Sequence, residues 1–226
     1  MARAMLEKTV HRDWLPLCPP MTLEQEALFK NYSKTNPFYP EPGNVFKALT
    51  QSPSDIRVVI IGQDPYHGVY KRDGRTAESG VQATGLAFSV PPDCKKLPPS
   101  LRNMFKVLRF DKSNRTGDLS NWKGVLLLNA SLTVHPGRAN SHKNIWGKWT
   151  DQLIRNLSQS VTHPLVFLLW GRFAEGKAQL LDKRHVTLIT SHPSPFSARR
   201  GFLTSDCFAQ ANRELEKLNM KPIEWI

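Results

Sequence analysis

The sequence predicts an α/β fold: a single domain whose central, twisted, four-stranded parallel sheet is flanked by helices on both faces. Three observations carry that expectation. Four short runs rich in Val, Ile and Leu are spaced along the 226 residues, at 57–61, 125–128, 165–170 and 186–190. None of them alternates cleanly between apolar and polar residues, which is the pattern of strands buried on both faces. Segments with helical spacing of apolar residues fill the intervals, and strands alternating with helices give a parallel sheet with right-handed crossovers.

Taken in order, residues 1–12 are expected to be a flexible extension ahead of the folded unit. Proline clusters at 16–20, 37–42 and 91–99 interrupt the chain, but the intervals between them are too short for separate domains, so 1–226 reads as one domain. Thr22 followed by Gln25 forms a capping box that opens a helix to about Tyr32. The first strand runs into Gly62-Gln63-Asp64-Pro65-Tyr66. The polar stretch 69–84, "VYKRDGRTAESGVQAT", is expected to be an extended, solvated loop. A helix over 100–110 places Leu101, Phe105 and Leu108 on one face, and the second strand ends at Asn129. A helix over 145–160 aligns Trp146, Trp149, Leu153 and Leu157. The third strand runs into Gly171-Arg172 and a helix over 172–181. The fourth runs into Ser191-His192-Pro193-Ser194, and a last helix covers about 206–218. Ligands of open parallel sheets bind beyond the carboxyl ends of the strands, and the polar residues of this chain converge there.

Composition narrows the function. Lys and Arg number 31 against 19 Asp and Glu, a net charge of +12 that attracts polyanions, nucleic acid above all. Cys18, Cys94 and Cys207 are odd in number and far apart, with no C-x-x-C, and the seven histidines show no metal-helix spacing. No metal, cofactor or disulfide framework is expected. The apolar runs are too short to span a bilayer and the first residues lack a signal-peptide core, so an intracellular protein with no membrane contact is expected. No G-x-S-x-G, P-loop or G-x-G-x-x-G supports an unrelated hydrolase or nucleotide-binding enzyme.

Read singly, the loop residues are ambiguous. Asp64-Pro65 is a common turn dipeptide, Tyr66 and Phe88 fit a core as well as a site, and a loop histidine such as His192 is commonly a surface residue. Their combination is specific. "GQDPYHG" (62–68), "GLAFSV" (85–90), "LPPSLRN" (97–103), "GVLLLNASLTV" (124–134), "SHKNIWGKW" (141–149), "LVFLLWG" (165–171) and "HPSPFSARRGF" (192–202) occur in one order. From about residue 13 to the end, the chain resembles family-1 uracil-DNA glycosylase, a monofunctional DNA-repair hydrolase.

The resemblance implies the following roles. Asp64 activates the attacking water and stabilises a cationic sugar, and His192, as a neutral imidazole, donates to uracil O2 as charge develops on the leaving base. Asn129 accepts from N3–H and donates to O4, a polarity cytosine cannot match; such sites can discriminate by roughly 10⁴–10⁵-fold. Surrounding residues are expected to hold that amide, because a flipped Asn would read cytosine instead. Gln63 contacts the base, Tyr66 packs against C5 and excludes the thymine methyl, and Phe88 stacks on the flipped base. Pro98, Pro99, Ser100, Gly171, Arg172, Ser194, Pro195, Ser197 and Arg200 belong to the loops that contact DNA backbone, and Phe196 is the wedge that fills the vacated stack. No site lysine offers a Schiff base, consistent with glycosylase chemistry without a lyase step.

Four departures from the family stand out. Phe196 replaces the usual Leu wedge, Arg172 replaces a Ser, Thr84 stands where His is common, and the 69–84 connection is longer than usual. The partners implied are uracil-containing DNA and acidic, DNA-mimicking inhibitor proteins, with the enzyme a monomer. The compartment implied is the nucleus, a host's nucleus for a viral enzyme. A glycosylase fold used only as a DNA- or partner-binding module is the competing reading, and intact Asp64, His192 and Asn129 argue against it.

Overall fold

The computed structural model describes residues 1–71, 79–109 and 116–225. Residues 72–78 of the expected loop and the end of the helix expected over 100–110 lie outside the described residues.

The strands are β1 (Val58–Gly62), β2 (Val69–Lys71), β3 (Ser79–Val81), β4 (Val125–Asn129), β5 (Val166–Trp170) and β6 (Val186–Thr190). The expected four-stranded sheet has the order β4-β1-β5-β6, every pairing parallel. In β1, β4 and β5 every residue is buried, because helices cover both faces. Alternate residues serve separate cores. Val59, Ile61, Leu126, Leu128, Phe167 and Leu169 pack on one side with Trp14, Trp146 and Leu153. Val58, Ile60, Leu127 and Leu168 pack on the other with Leu101, Phe202 and Phe208.

The fourth strand departs from expectation. β6 lies at the sheet's edge and is covered on one face only, so Leu188 is buried while Thr187 and Ile189 face solvent. Its alternation in "VTLIT" is legible once it is known to be an edge strand.

The helices are α1 (Ala2–Thr9), α2 (Leu23–Lys30), α3 (Pro99–Val107), α4 (Lys143–Ser160), α5 (Gly171–Glu175) and α6 (Cys207–Lys217). The capping box forms as expected: Thr22 Oγ1 accepts from Gln25 N–H at 3.2 Å and Gln25 Oε1 accepts from Thr22 N–H at 2.9 Å. The same Gln25 side chain, fully buried, donates to Ile145 O at 3.0 Å and ties α2 to the start of α4. The helix expected over 172–181 divides at Gly176 into α5 and a 3₁₀ turn, glycine being a poor helix interior residue.

Residues 1–12 are not a flexible extension. Ala2, Leu6 and Val10, four apart, form a stripe that is buried in the core beside Trp14. The amides of Ala2 and Arg3 donate to the Glu26 carboxylate, both at 2.9 Å, so an acid from α2 caps the positive end of α1. The stretch 69–84 is likewise more than solvated loop. β2 and β3 pair antiparallel, and between exposed Val69 and Lys71 the buried Tyr70 ring lies against Gly80, its hydroxyl donating to Asp93 Oδ1 at 2.5 Å.

Leu6→Ala is therefore expected to lower unfolding free energy by about 2–4 kcal/mol. Urea denaturation followed by tryptophan fluorescence checks this; an unchanged midpoint would mean that α1 contributes nothing to the fold.

Candidate active site

The sheet register sets the site. Gly62 pairs with Asn129, so β1 and β4 end level, and beyond them Ala130 and Ser131 amides donate to Gly62 O and Gln63 O, both at 2.9 Å. The loop 62–68 is thus held along its length instead of projecting as a free turn. It borders a cavity of about 220 Å³ whose walls include Gln63, Asp64, Tyr66, Phe88, Asn129 and His192, with Ser100 at the margin. All six residues assigned to base recognition and catalysis by sequence meet in this one space.

Asp64 is half-buried, and its Oδ2 accepts the backbone N–H of Asn140 at 2.7 Å. Desolvation pushes its carboxyl above the ordinary range, while the Asn140 amide and the nearby His67 pull it back. Among the described residues no hydrogen bond occupies Oδ1, which leaves that oxygen for a ligand or water.

His192 follows β6. Its Nδ1 accepts the backbone N–H of Ser194 at 3.0 Å, so in the neutral ring the proton sits on Nε2. Burial lowers its basicity, which keeps the ring neutral near pH 7. The result is a neutral, oriented donor at the cavity wall. Its carbonyl accepts from Ser197 Oγ at 2.9 Å, and Asn103 Nδ2 on α3 donates to Pro193 O at 2.8 Å. These bonds fix the loop from two directions.

Asn129 is buried, yet among the described residues its side-chain amide has no hydrogen-bond partner of its own. The surroundings meet it by close contact. A Cβ on Gly62 would fall 2.3 Å from Asn129 Oδ1 and 3.0 Å from Ala87 Cβ, so only glycine leaves room for the amide in this position. Both polar ends of the amide remain available to a ligand.

Phe88 holds its ring 5.3 Å from Trp170 and 5.9 Å from His192. Its φ of 65° is unfavourable for a bulky L residue and marks a site that the surrounding fold constrains. Its carbonyl accepts from the Tyr66 hydroxyl at 3.4 Å, which links the two aromatic walls, and burial keeps the Tyr66 phenol neutral. Thr84 is buried and contacts backbone within the same turn instead of reaching the cavity.

Of the residues assigned to DNA backbone, Ser100 lines the cavity and the others lie on the elements and loops that flank it in sequence. Pro98 precedes α3, Pro99 occupies its first position, where proline's fixed φ suits a helix start, and Ser100 reaches the cavity margin. Ser194 Oγ accepts the Phe196 amide at 3.2 Å, which turns the chain so that Pro195 and Phe196 project; the Phe196 side chain is 93% exposed. Gly171 has φ +79° and its Cα faces His192 Cβ, where an added methyl would lie at 2.9 Å. Arg172 and Arg200 are exposed and do not line the cavity, and Arg199 joins them.

Sequence reading missed several residues that the fold brings in. His67 lines the cavity, Asn103 braces the histidine loop, and Asn140 reaches both Asp64 and Gln63. Asn140 lies in "GRANSH", directly before a stretch already singled out, and nothing in the local sequence marks it; its left-handed φ of 62°, a conformation in which Asn is enriched, emerges only in the fold.

Gly62→Ala is expected to displace the Asn129 amide and lower kcat/KM on a uracil-containing oligonucleotide by about 10²-fold with the fold intact. Steady-state kinetics with a circular dichroism control check it; wild-type kinetics would remove the close contact from any role.

Known proteins resemble this chain in sequence and in fold. Residues 49–216 match the family described as Uracil DNA glycosylase superfamily. The chain is 46% identical over 201 residues to "Uracil-DNA glycosylase" of Borrelia hermsii, covering 85% of this chain and 84% of that protein. It is 42% identical over 228 aligned positions to the protein of the same name from Leuconostoc mesenteroides, covering 96% and 98%. Among solved structures, mimivirus uracil-DNA glycosylase superposes with a TM-score of 0.85 at 27% identity over 97% of this chain and 88% of that one. A mimivirus UNG variant in complex with UGI gives 0.83 at 27% identity, covering 97% and 90%.

Proposed function

The chain belongs to the uracil DNA glycosylase superfamily, and we propose that within it the protein is a family-1 enzyme acting on single- and double-stranded DNA. It is a DNA-repair hydrolase that excises uracil by cleaving an N-glycosyl bond. The observation that carries the residue assignment is the convergence of Asp64, Asn129 and His192 in one cavity, with His192 Nδ1 already occupied as an acceptor.

Chemistry follows from that placement. The target bond is hidden inside a duplex, so the nucleotide is swung out at a cost of a few kcal/mol. Asn129 reads the uracil edge, Tyr66 closes the C5 side and Phe88 lies against the ring. The glycosidic bond breaks in a dissociative manner, its electron pair leaving with uracil. His192 Nε2–H meets the negative charge that develops on O2, a donor whose orientation is set before the reaction and needs no rearrangement during it. Asp64 Oδ1 takes a proton from water as its oxygen adds to the sugar carbon, and the ionised carboxylate stabilises the positive charge that precedes this addition. The products are uracil and an abasic site.

Outside the cavity, Phe196 enters the gap left by the flipped base, and Ser100, Ser194 and Ser197 with Pro98, Pro99, Pro195 and Gly171 approach the phosphates. Arg172 and Arg200 add charge that suits phosphate and screens with salt. Gln63 steadies the loop at the base. The +12 charge supports binding of acidic, DNA-mimicking inhibitor proteins as well, and the solved complex of a mimivirus relative with UGI supports that reading.

Asp64→Asn is expected to reduce turnover by at least about 10²-fold while DNA affinity persists, read by oligonucleotide cleavage after alkali and by fluorescence anisotropy. Full activity in that variant would remove Asp64 from its role. Because Asp64 works ionised and burial raises its pKa, activity is present above that pKa and lost as pH falls through it, at a pH above the ordinary carboxylate value. A kcat–pH profile flat through that range would contradict the assignment. Phe196→Ala is expected to weaken excision from duplex by about 10-fold, an unstacking penalty of the kind flipping requires, with little change on single strands. Equal losses on both would argue against a wedge.

A further inference from the structure

We propose that Asn140 is the positioning residue of this site, one residue that sets both the rotamer of Asp64 and the placement of Gln63. The inference rests on Asp64 being the group that activates water. Two contacts carry it. The Asn140 backbone N–H donates to Asp64 Oδ2 at 2.7 Å, and the Asn140 side-chain Oδ1 accepts from Gln63 Nε2. Adjacent residues of the 62–68 loop are therefore held by the two ends of a single residue from another part of the chain.

Asn140 can make both contacts because its backbone is left-handed, with φ +62°. That conformation is costly for most L residues but tolerated by Asn. The segment carrying it is anchored on either side: Gly137 N–H donates to His67 O at 2.9 Å, and Asn140 O accepts the Lys143 amide at 3.3 Å where α4 begins. The 137–140 segment thus grips the loop at its far end through His67 and at its near end through Asp64 and Gln63.

The grip has a chemical consequence. With Oδ2 occupied, Oδ1 is the oxygen left to receive a proton from water, so Asn140 selects which face of the carboxylate works. A hydrogen bond to the ionised form also favours ionisation and counters burial. The other titratable groups around the cavity are His67 on the same loop, Tyr66, and His192 from the loop after β6. Of these, His67 also favours the ionised carboxylate. Asn140 acts on Asp64 through its backbone and on Gln63 through its side chain, and substitutions can separate these actions.

Asn140→Gly keeps the left-handed backbone and the amide but lacks Oδ1. Asn140→Val opposes the left-handed backbone and so moves the amide away from Asp64. Two readouts are taken on the intact protein: kcat and KM for a uracil-containing oligonucleotide across pH, and direct titration of the Asp64 carboxyl by ¹³C NMR. In Asn140→Val, kcat is expected to fall by about 10²-fold, and both the acid limb and the carboxyl titration move to higher pH. In Asn140→Gly the titration stays at the wild-type position, while loss of the Gln63 contact raises KM several-fold. Thermal unfolding of each variant separates these effects from loss of fold. An unmoved Asp64 titration in Asn140→Val overturns the proposal. Should that variant not fold, an Asn140→Gly protein with wild-type KM overturns it equally. The carboxyl titration needs no turnover, so it tests the positioning role even if Asp64→Asn shows the water-activating role itself to be mistaken.

Discussion

Everything in this site depends on β1 and β4 ending at the same level. Parallel pairing places Gly62 opposite Asn129, and the absence of a side chain on one is what makes space for the amide of the other. A one-residue slip would turn each side chain to the opposite face and put a Cβ where the amide stands. The same register extends past the strands, where Ala130 and Ser131 continue to pair with Gly62 and Gln63. A one-residue slip would also exchange the residues of the two cores, so burial on both faces opposes it. The precision needed to read a base edge is therefore inherited from ordinary hydrophobic burial.

Burial also sets the charges, and it moves the pKa values of Asp64 and His192, the two groups to which the proposed mechanism gives the chemistry, in opposite directions. It disfavours ionisation of both, raising the Asp64 carboxyl and lowering the basicity of His192. For the histidine this is the useful direction, since a neutral ring with Nδ1 occupied presents one donor. For the aspartate it is the wrong direction, and the Asn140 amide and His67 offset it. The site is thus a balance: dry enough to keep the imidazole neutral and polar enough at one point to keep a carboxylate ionised.

The flanking residues obey different physics from the cavity. Cavity residues are fixed by packing and backbone hydrogen bonds, whereas Phe196, Arg172 and Arg200 are exposed and have no comparable restraint. Their contribution is realised only against a partner. In the proposed function this separates recognition of the base, which is preorganised, from engagement of the strand, which rests on charge and on an apolar side chain that is costly to leave in water.

The sequence by itself determined the sheet, because runs of four to six apolar residues without alternation, as at 58–61, 125–128 and 165–170, have few alternatives to a doubly covered strand. It also determined most helices through their apolar spacing and the capping box at Thr22, and its motifs singled out Asp64, Asn129 and His192, which the fold gathers around one cavity. Where it fell short, the deciding contact was distant in the chain. α1 read as a loose end because its stripe of Ala2, Leu6 and Val10 gains value only against Trp14 and a cap from Glu26. The 69–84 stretch read as polar because one buried Tyr70 is invisible among charged neighbours. β6 read as doubly buried because its uncovered face is a property of the tertiary packing: β4, the other edge strand, is buried throughout. Asn140 was passed over because nothing local ties it to Asp64, 76 positions away. Periodicity and motif are local and survive in a one-dimensional reading. Register, edges and the pairing of remote polar groups exist only once the chain has closed on itself, so tertiary structure alone decided them.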